Sequence, residues 1–243
     1  HNDVKEAATR FAQALPLQTA QVDKEQTLRT LMALALDAKD WTAAKSWHDQ
    51  LVKLEPTSLF VKGELGRELF SRGEYDKSEV EFQALVVAAT GDNRTLAPAL
   101  KDLGKAQAKA HKNPEALATL KKALAVAGQE AAVRTEIYET ITEIYRADQQ
   151  LPILIKLLED EHPQDYARLA LLGSLYEETG DAVNAIATYK KALAINPRQI
   201  DLRLKMVRLL QTQGDLDKAI ATYDAILADE PSDARSLAAL DVL

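Results

Sequence analysis

Lys101, Lys105 and Lys109 stand four residues apart. On a helix that spacing lines three ammonium groups along one face. Such a row can dock an acidic segment of another protein by charge, or it can stay a solvated lysine face without specificity. The sequence holds little else that could do chemistry. Its four histidines are His1, His48, His111 and His162, and no two lie close in the chain. A zinc or iron site needs such ligands gathered, so no metal is expected. His48 reads as a packed imidazole with one hydrogen bond. There is no cysteine, hence no disulfide, thiolate metal site or cysteine nucleophile. Neither G-x-x-x-x-G-K-[ST] nor G-x-G-x-x-G occurs, so no phosphate cradle is expected. Glu177-Glu178 and Glu159-Asp160-Glu161 read as solvated helix ends rather than acid–base pairs. These residues point to binding and away from catalysis. No enzyme activity and no cofactor are expected.

Composition narrows the binding classes. The chain has 243 residues and a formal charge of −7, with a pI near 5.2. Phosphate backbones require a surplus of Lys and Arg, so nucleic acid is not the expected partner. No apolar run approaches the length of a membrane-spanning helix. Apolar residues make up 47% but aromatics only 5%, and the bulk is Ala and Leu, which favour helix.

The elements that must position the cations follow from a repeat. Gly180, Ala185, Tyr189 and Pro197 recur as Gly214, Ala219, Tyr223 and Pro231, a step of 34 residues. Leu169, Leu172, Gly173 and Tyr176 have the three-and-four spacing of one helical face. Gly180 can take a left-handed conformation after that helix, Asp181 can cap the next, and Pro197 ends it. The series Leu172-Gly173, Tyr176, Ala185, Tyr189 and Pro197 resembles the tetratricopeptide repeat. The resemblance implies an all-α fold, a right-handed α-solenoid superhelix of antiparallel helix pairs, helix A and helix B, with helices A lining a concave face. Gly173 and Ala185 would then be small where the two helices cross.

Six units are readable: 25–58, 59–96, 97–130, 131–165, 166–199 and 200–233. Residues 131–165 carry the weakest pattern, with helix A reading VRTEIYETITEIYR, helix B LPILIKLLED, and a register change between them. Residues 59–96 end in a polar loop, TGDNRT. A helix over 3–15 precedes the units, and 234–243 reads as the start of a further helix. The expectation is one solenoid over 1–243, about fourteen helices, no strand and no internal boundary. The start at His1-Asn2 without methionine and the unfinished last helix suggest a piece of a longer protein.

In proteins of this resemblance, ligand contacts come mostly from a few positions of helix A. Here those positions hold Arg29, Phe60, Arg67, Phe70, Lys101, Lys105 and Lys109. They would form a row of cations beside two phenylalanines. The same positions in 166–199 hold Ala167, Ala170, Ser174, Glu177 and Glu178, so the face would turn from basic to acidic. The carboxylate clamp for chaperone C-termini known in the family needs asparagines on helices A. The asparagines of this chain (Asn2, Asn93, Asn113, Asn184 and Asn196) lie elsewhere in the repeat reading.

The expected function is a non-enzymatic scaffold or adaptor that holds another protein on the concave face, through an acidic peptide or helix. One alternative is a regulatory or targeting segment of a larger enzyme or secretion protein. The other is a self-assembling module, with Leu237, Leu240, Val242 and Leu243 as an apolar end face for a homo-oligomer. Cytoplasm and periplasm are both compatible with the composition.

Overall fold

The computed structural model describes residues 2–128, 130–230 and 233, with side chains from residue 6. Regular structure among them is helical, without strand. The end helix expected over 234–243 lies outside the described residues. The chain divides into two compact units, 1–141 and 142–243.

The first unit opens with α1 (Asn2–Ala14) and a short 3-10 helix, Leu15–Leu17. Then come α2 (Gln21–Asp37), α3 (Trp41–Leu54), α4 (Leu59–Lys62), α5 (Glu64–Ser71), α6 (Tyr75–Ala89), α7 (Asn93–Lys109) and α8 (Asn113–Val126). Helix α9 (Ala131–Ala147) runs across the division. The second unit continues with α10 (Leu151–Asp160), α11 (Tyr166–Glu178), α12 (Ala182–Ile195), α13 (Ile200–Thr212) and α14 (Leu216–Asp229). Consecutive helices pair, α2 with α3, α5 with α6, α7 with α8, α11 with α12 and α13 with α14. Neighbouring pairs stack through α6 on α7 and α12 on α13. The fold is thus an all-α solenoid of helix pairs within each unit.

Six turns between consecutive helices are built alike. In each, a backbone N–H reaches back five residues: Asp40 to Ala35, Glu74 to Leu69, Lys112 to Gln107, Gln150 to Tyr145, Asp181 to Tyr176 and Asp215 to Leu210, at 2.7–2.9 Å. The residue before each of these donors has positive φ: Lys39, Gly73, His111, Gln149, Gly180 and Gly214. This is the left-handed helix stop of the Schellman type. Asp40 and Asp181 then cap the following helix, accepting from Ala43 and Asn184 N–H at 3.0 and 3.1 Å.

Each pair crosses where one side is small. Ala44, Ser78, Ala116, Ala185 and Ala219 are fully buried. A Cβ on Gly66, Gly104 or Gly173 would come within 2.8 Å of Phe82, 2.6 Å of Leu120 or 2.4 Å of Tyr189. These large residues are the cores of their pairs, 0–2% exposed. His48 occupies the equivalent place in the first pair. It is buried, its Nε2 lies 2.8 Å from the Val61 carbonyl, and its Nδ1 has no partner. The Nε2–H tautomer satisfies that single bond.

The polar stretch 90–95 is not all loop. Asp92 accepts from Arg94 N–H at 3.0 Å and starts α7 at Asn93. Trp47 packs under α2 and Trp41 is half-buried, with the Lys77 ammonium 4.3 Å above its ring.

Candidate protein-binding face

Among the residues expected to bind, Phe60 is the most open apolar one: 69% of its surface is exposed. Ser58 caps the helix that carries it, accepting from Val61 N–H at 3.3 Å. One turn on, Gly63 has no side chain, and the Arg67 guanidinium folds back over it. A Cβ there would lie 2.6 Å from Arg67 Nη1. Arg67 Nη2 donates to the Phe60 carbonyl, and its guanidinium carbon sits 4.7 Å from the Phe60 ring centre. Phe60 and Arg67 therefore present a joined aromatic and cationic surface.

The lysines converge on one acid. Lys101 and Lys105 on α7 both donate to the same oxygen, Oε2 of Glu136 on α9, at 2.9 and 2.8 Å. Lys101 also stands 3.5 Å from Asp102. Arg67, Lys101 and Lys105 all act electrostatically on Asp102, which gathers the α5 and α7 cations around one carboxylate. Burial nevertheless holds the Asp102 pKa above its ordinary value, against those three charges. Glu136 is held below its ordinary value by the hydrogen bonds from Lys105 and Lys101. Burial works to lower the Lys101 pKa, but the bond to Glu136 and the charges of Asp102 and Glu136 raise it above its usual value.

Arg29 lies at a separate acidic cluster. Its Nε donates to Glu64 at 2.9 and 3.2 Å, with Glu25 at 3.6 Å and Glu55 at 4.0 Å. Phe70 is half-buried against the cluster of Phe82, Leu85 and Leu103, with its ring edge-on to Tyr75 at 5.3 Å. Its ring serves packing. Lys109 is exposed at the end of α7. Phe60 is thus joined to Arg67, Arg67 shares the Asp102 carboxylate's field with Lys101 and Lys105, and Arg29 and Phe70 are engaged by other partners.

Sequence reasoning missed the acids. Glu64, Asp102 and Glu136 each stand 35 residues after a cation they serve: Arg29, Arg67 and Lys101. Arg72 and Asp37 are paired at 2.6 Å across the same interval. Opposite charges one repeat plus one residue apart were the available signal.

The second unit differs. Glu178 accepts from Arg146 at 2.6 and 2.8 Å, and Glu177 from the Tyr189 hydroxyl at 2.6 Å. Burial first, then the bond to Glu177, pushes the Tyr189 pKa up. No group of three side chains that could hold a metal ion is found among the described residues. None of their helices is long and apolar enough to cross a membrane.

The model of one family, the tetratricopeptide repeat, matches residues 176–241. Residues 176–241 thus carry tetratricopeptide repeats. The match begins at Tyr176, within the pair α11–α12 whose Gly173–Tyr189 crossing is described above. Solved structures similar to the chain include a thermophilic tetratricopeptide repeat protein of Thermus thermophilus, 25% identical, covering 75% of this chain and 99% of that one, with a TM-score of 0.44. The pilF protein of Pseudomonas aeruginosa is 13% identical over 93% of this chain and all of its own, TM-score 0.47. The TPR2AB domain of yeast Sti1, solved in complex with an HSP90 peptide, is 13% identical over 90% of this chain and 95% of its own, TM-score 0.38. No curated protein matches the sequence. Tetratricopeptide repeats serve in general as protein-interaction scaffolds, typically without catalysis.

Proposed function

We propose that this protein is a non-enzymatic scaffold that holds an acidic segment of another protein on the helix-A face of its first unit. The observation that carries the reading is the Phe60–Arg67 pair beside the Lys101–Lys105 fork. An exposed aromatic ring in a cationic setting offers one apolar anchor and several partners for carboxylates. Interface hot spots are enriched in aromatic residues and arginine. Arg29 is engaged by Glu64, Phe70 by the packing around Phe82, and Lys109 lies at the end of α7, so the three matter less to it.

A synthetic peptide of alternating acidic and leucine residues is a suitable probe, labelled for fluorescence anisotropy. Reversing charge at Arg67, Lys101 and Lys105 should weaken its binding by about tenfold or more while circular dichroism keeps its helix content. Phe60→Ala should weaken it by several-fold without changing the salt dependence. Equal affinity in the triple charge-reversal variant would remove the reading.

A further inference from the structure

The two lysines do not wait empty. Their Nζ atoms meet at a single carboxylate oxygen, 2.8 and 2.9 Å away, in the arrangement a bound carboxylate would adopt. The occupant is a side chain of the same unit, Glu136, which is 42% exposed. Lys101 is only 14% exposed. The fork is therefore set into the helix surface, and its ligand reaches it from the solvent side.

We infer that Glu136 is an internal carboxylate that an acidic partner displaces from the Lys101–Lys105 fork, so that α9 competes with the partner for the site. This rests on the proposed docking of an acidic segment. The chemistry is exchange of one carboxylate for another, with no bond made or broken beyond hydrogen bonds and ion pairs. Its consequence is selective. A peptide with a single exposed acid gains little, because it replaces one carboxylate with an equal. A peptide with several acids, or with an apolar residue for Phe60, gains elsewhere what it loses in expelling Glu136. The arrangement raises the threshold against stray acidic ligands. A partly exposed ion pair contributes modestly, so the barrier set by Glu136 is roughly 3- to 10-fold in affinity.

The experiment uses the whole chain, the acidic–leucine peptide named above, and an analogue with its acids replaced by amides. Glu136→Gln should bind the acidic peptide about 3- to 10-fold more tightly than the unaltered protein and bind the amide analogue no better. Adding Lys101→Met and Lys105→Met to Glu136→Gln should abolish the gain. In the unaltered protein, NMR titration of the Glu136 carboxyl should show its lowered pKa rising toward the ordinary glutamate range when the peptide is saturating. Thermal melts followed by circular dichroism establish that each variant is folded at the assay temperature.

The outcomes separate the two ideas. If the peptide binds through Lys101 and Lys105 but Glu136→Gln gives no gain and the Glu136 titration is unmoved, exchange is overturned and the docking face stands. If the peptide binds neither the unaltered protein nor Glu136→Gln, both fall. Binding to Glu136→Gln alone would mark Glu136 as a complete block and support exchange.

Discussion

Among the glycines, Gly173 is the one where an added side chain would meet its neighbour at the shortest distance. A methyl group there would lie 2.4 and 2.5 Å from two ring atoms of Tyr189. That ring cannot swing aside freely, because it is fully buried and its hydroxyl donates to Glu177 at 2.6 Å. Gly173→Ala should therefore cost about 1–3 kcal/mol, read from urea unfolding of the variant against the parent. An unchanged midpoint would mean that α11 and α12 separate easily, contrary to the tight crossing. The need for a small residue here was legible in the sequence, since glycine and tyrosine recur at fixed offsets. The partners of the charged residues were not. Glu64, Asp102 and Glu136 look like any solvated acid until the chain is folded, and Lys101 and Lys105 look like any lysine face. Phe70 and Phe60 were equally indistinguishable by type; one ring packs and the other is exposed.

At the level of helices and turns, the six left-handed stops do the same work with different residues. Gly73, Gly180 and Gly214 adopt positive φ without steric penalty, whereas Lys39, His111 and Gln149 carry side chains there, at φ 57–61°. The stops at 73, 180 and 214 were legible because glycine marks them. Those at 39, 111 and 149 were hidden behind ordinary polar residues. Nor are they evenly spaced: the stops at 111 and 149 each follow the one before by more than one 34-residue step, because α7 and α9 are both long, at 17 residues. For the second of these the sequence shows the irregularity as the weak pattern of 131–165. His111→Gly tests the argument. A side chain in the left-handed region costs about 1–2 kcal/mol, and glycine loses about 0.5–1 kcal/mol of that through its freer unfolded chain. The net expectation is a gain of about 0.5–1 kcal/mol in urea unfolding. His111 lies outside the proposed face, so peptide affinity should be unaffected. A loss of stability would show that its side chain does something beyond tolerating the turn.

Across the molecule, carboxylates that join one repeat to the next set how the protein responds to acid. Glu79 is buried on α6 and accepts from Gln107 at 3.1 Å, from Lys112 at 2.7 Å and from Gln83 at 3.2 Å. Burial opposes its ionisation, yet the bonds from Lys112 and Gln107 hold its pKa below the ordinary value. Glu136 is lowered in the same sense by Lys105 and Lys101. In a stacked-repeat protein, stability is close to a sum of units and the interfaces between neighbours, so ties of this kind act on cooperativity as well as on local order. The sign follows from linkage. A carboxyl with a lowered folded pKa adds stability that is complete above its unfolded value, near 4.5 for both glutamates, and is lost as pH falls through the folded value. Asp102 acts in reverse. Its folded pKa is raised above 3.8, so its ionisation costs stability at neutral pH and the cost fades as pH falls through that raised value. The parent should therefore lose stability on acidification below about pH 4.5, beyond what Asp102 returns. Asp102→Asn should be the more stable protein at pH 7, with an advantage over the parent that shrinks toward pH 4. Glu79→Gln should be less stable at pH 7, with a deficit that narrows in acid as the parent's own Glu79 takes up its proton. Thermal melts of the three proteins at pH 4 and pH 7 decide this. A Glu79→Gln deficit as large at pH 4 as at pH 7 would place that residue's contribution in packing rather than in charge. A loss of stability in Asp102→Asn at pH 7 would show that Arg67, Lys101 and Lys105 need Asp102 as a counter-ion more than its burial costs.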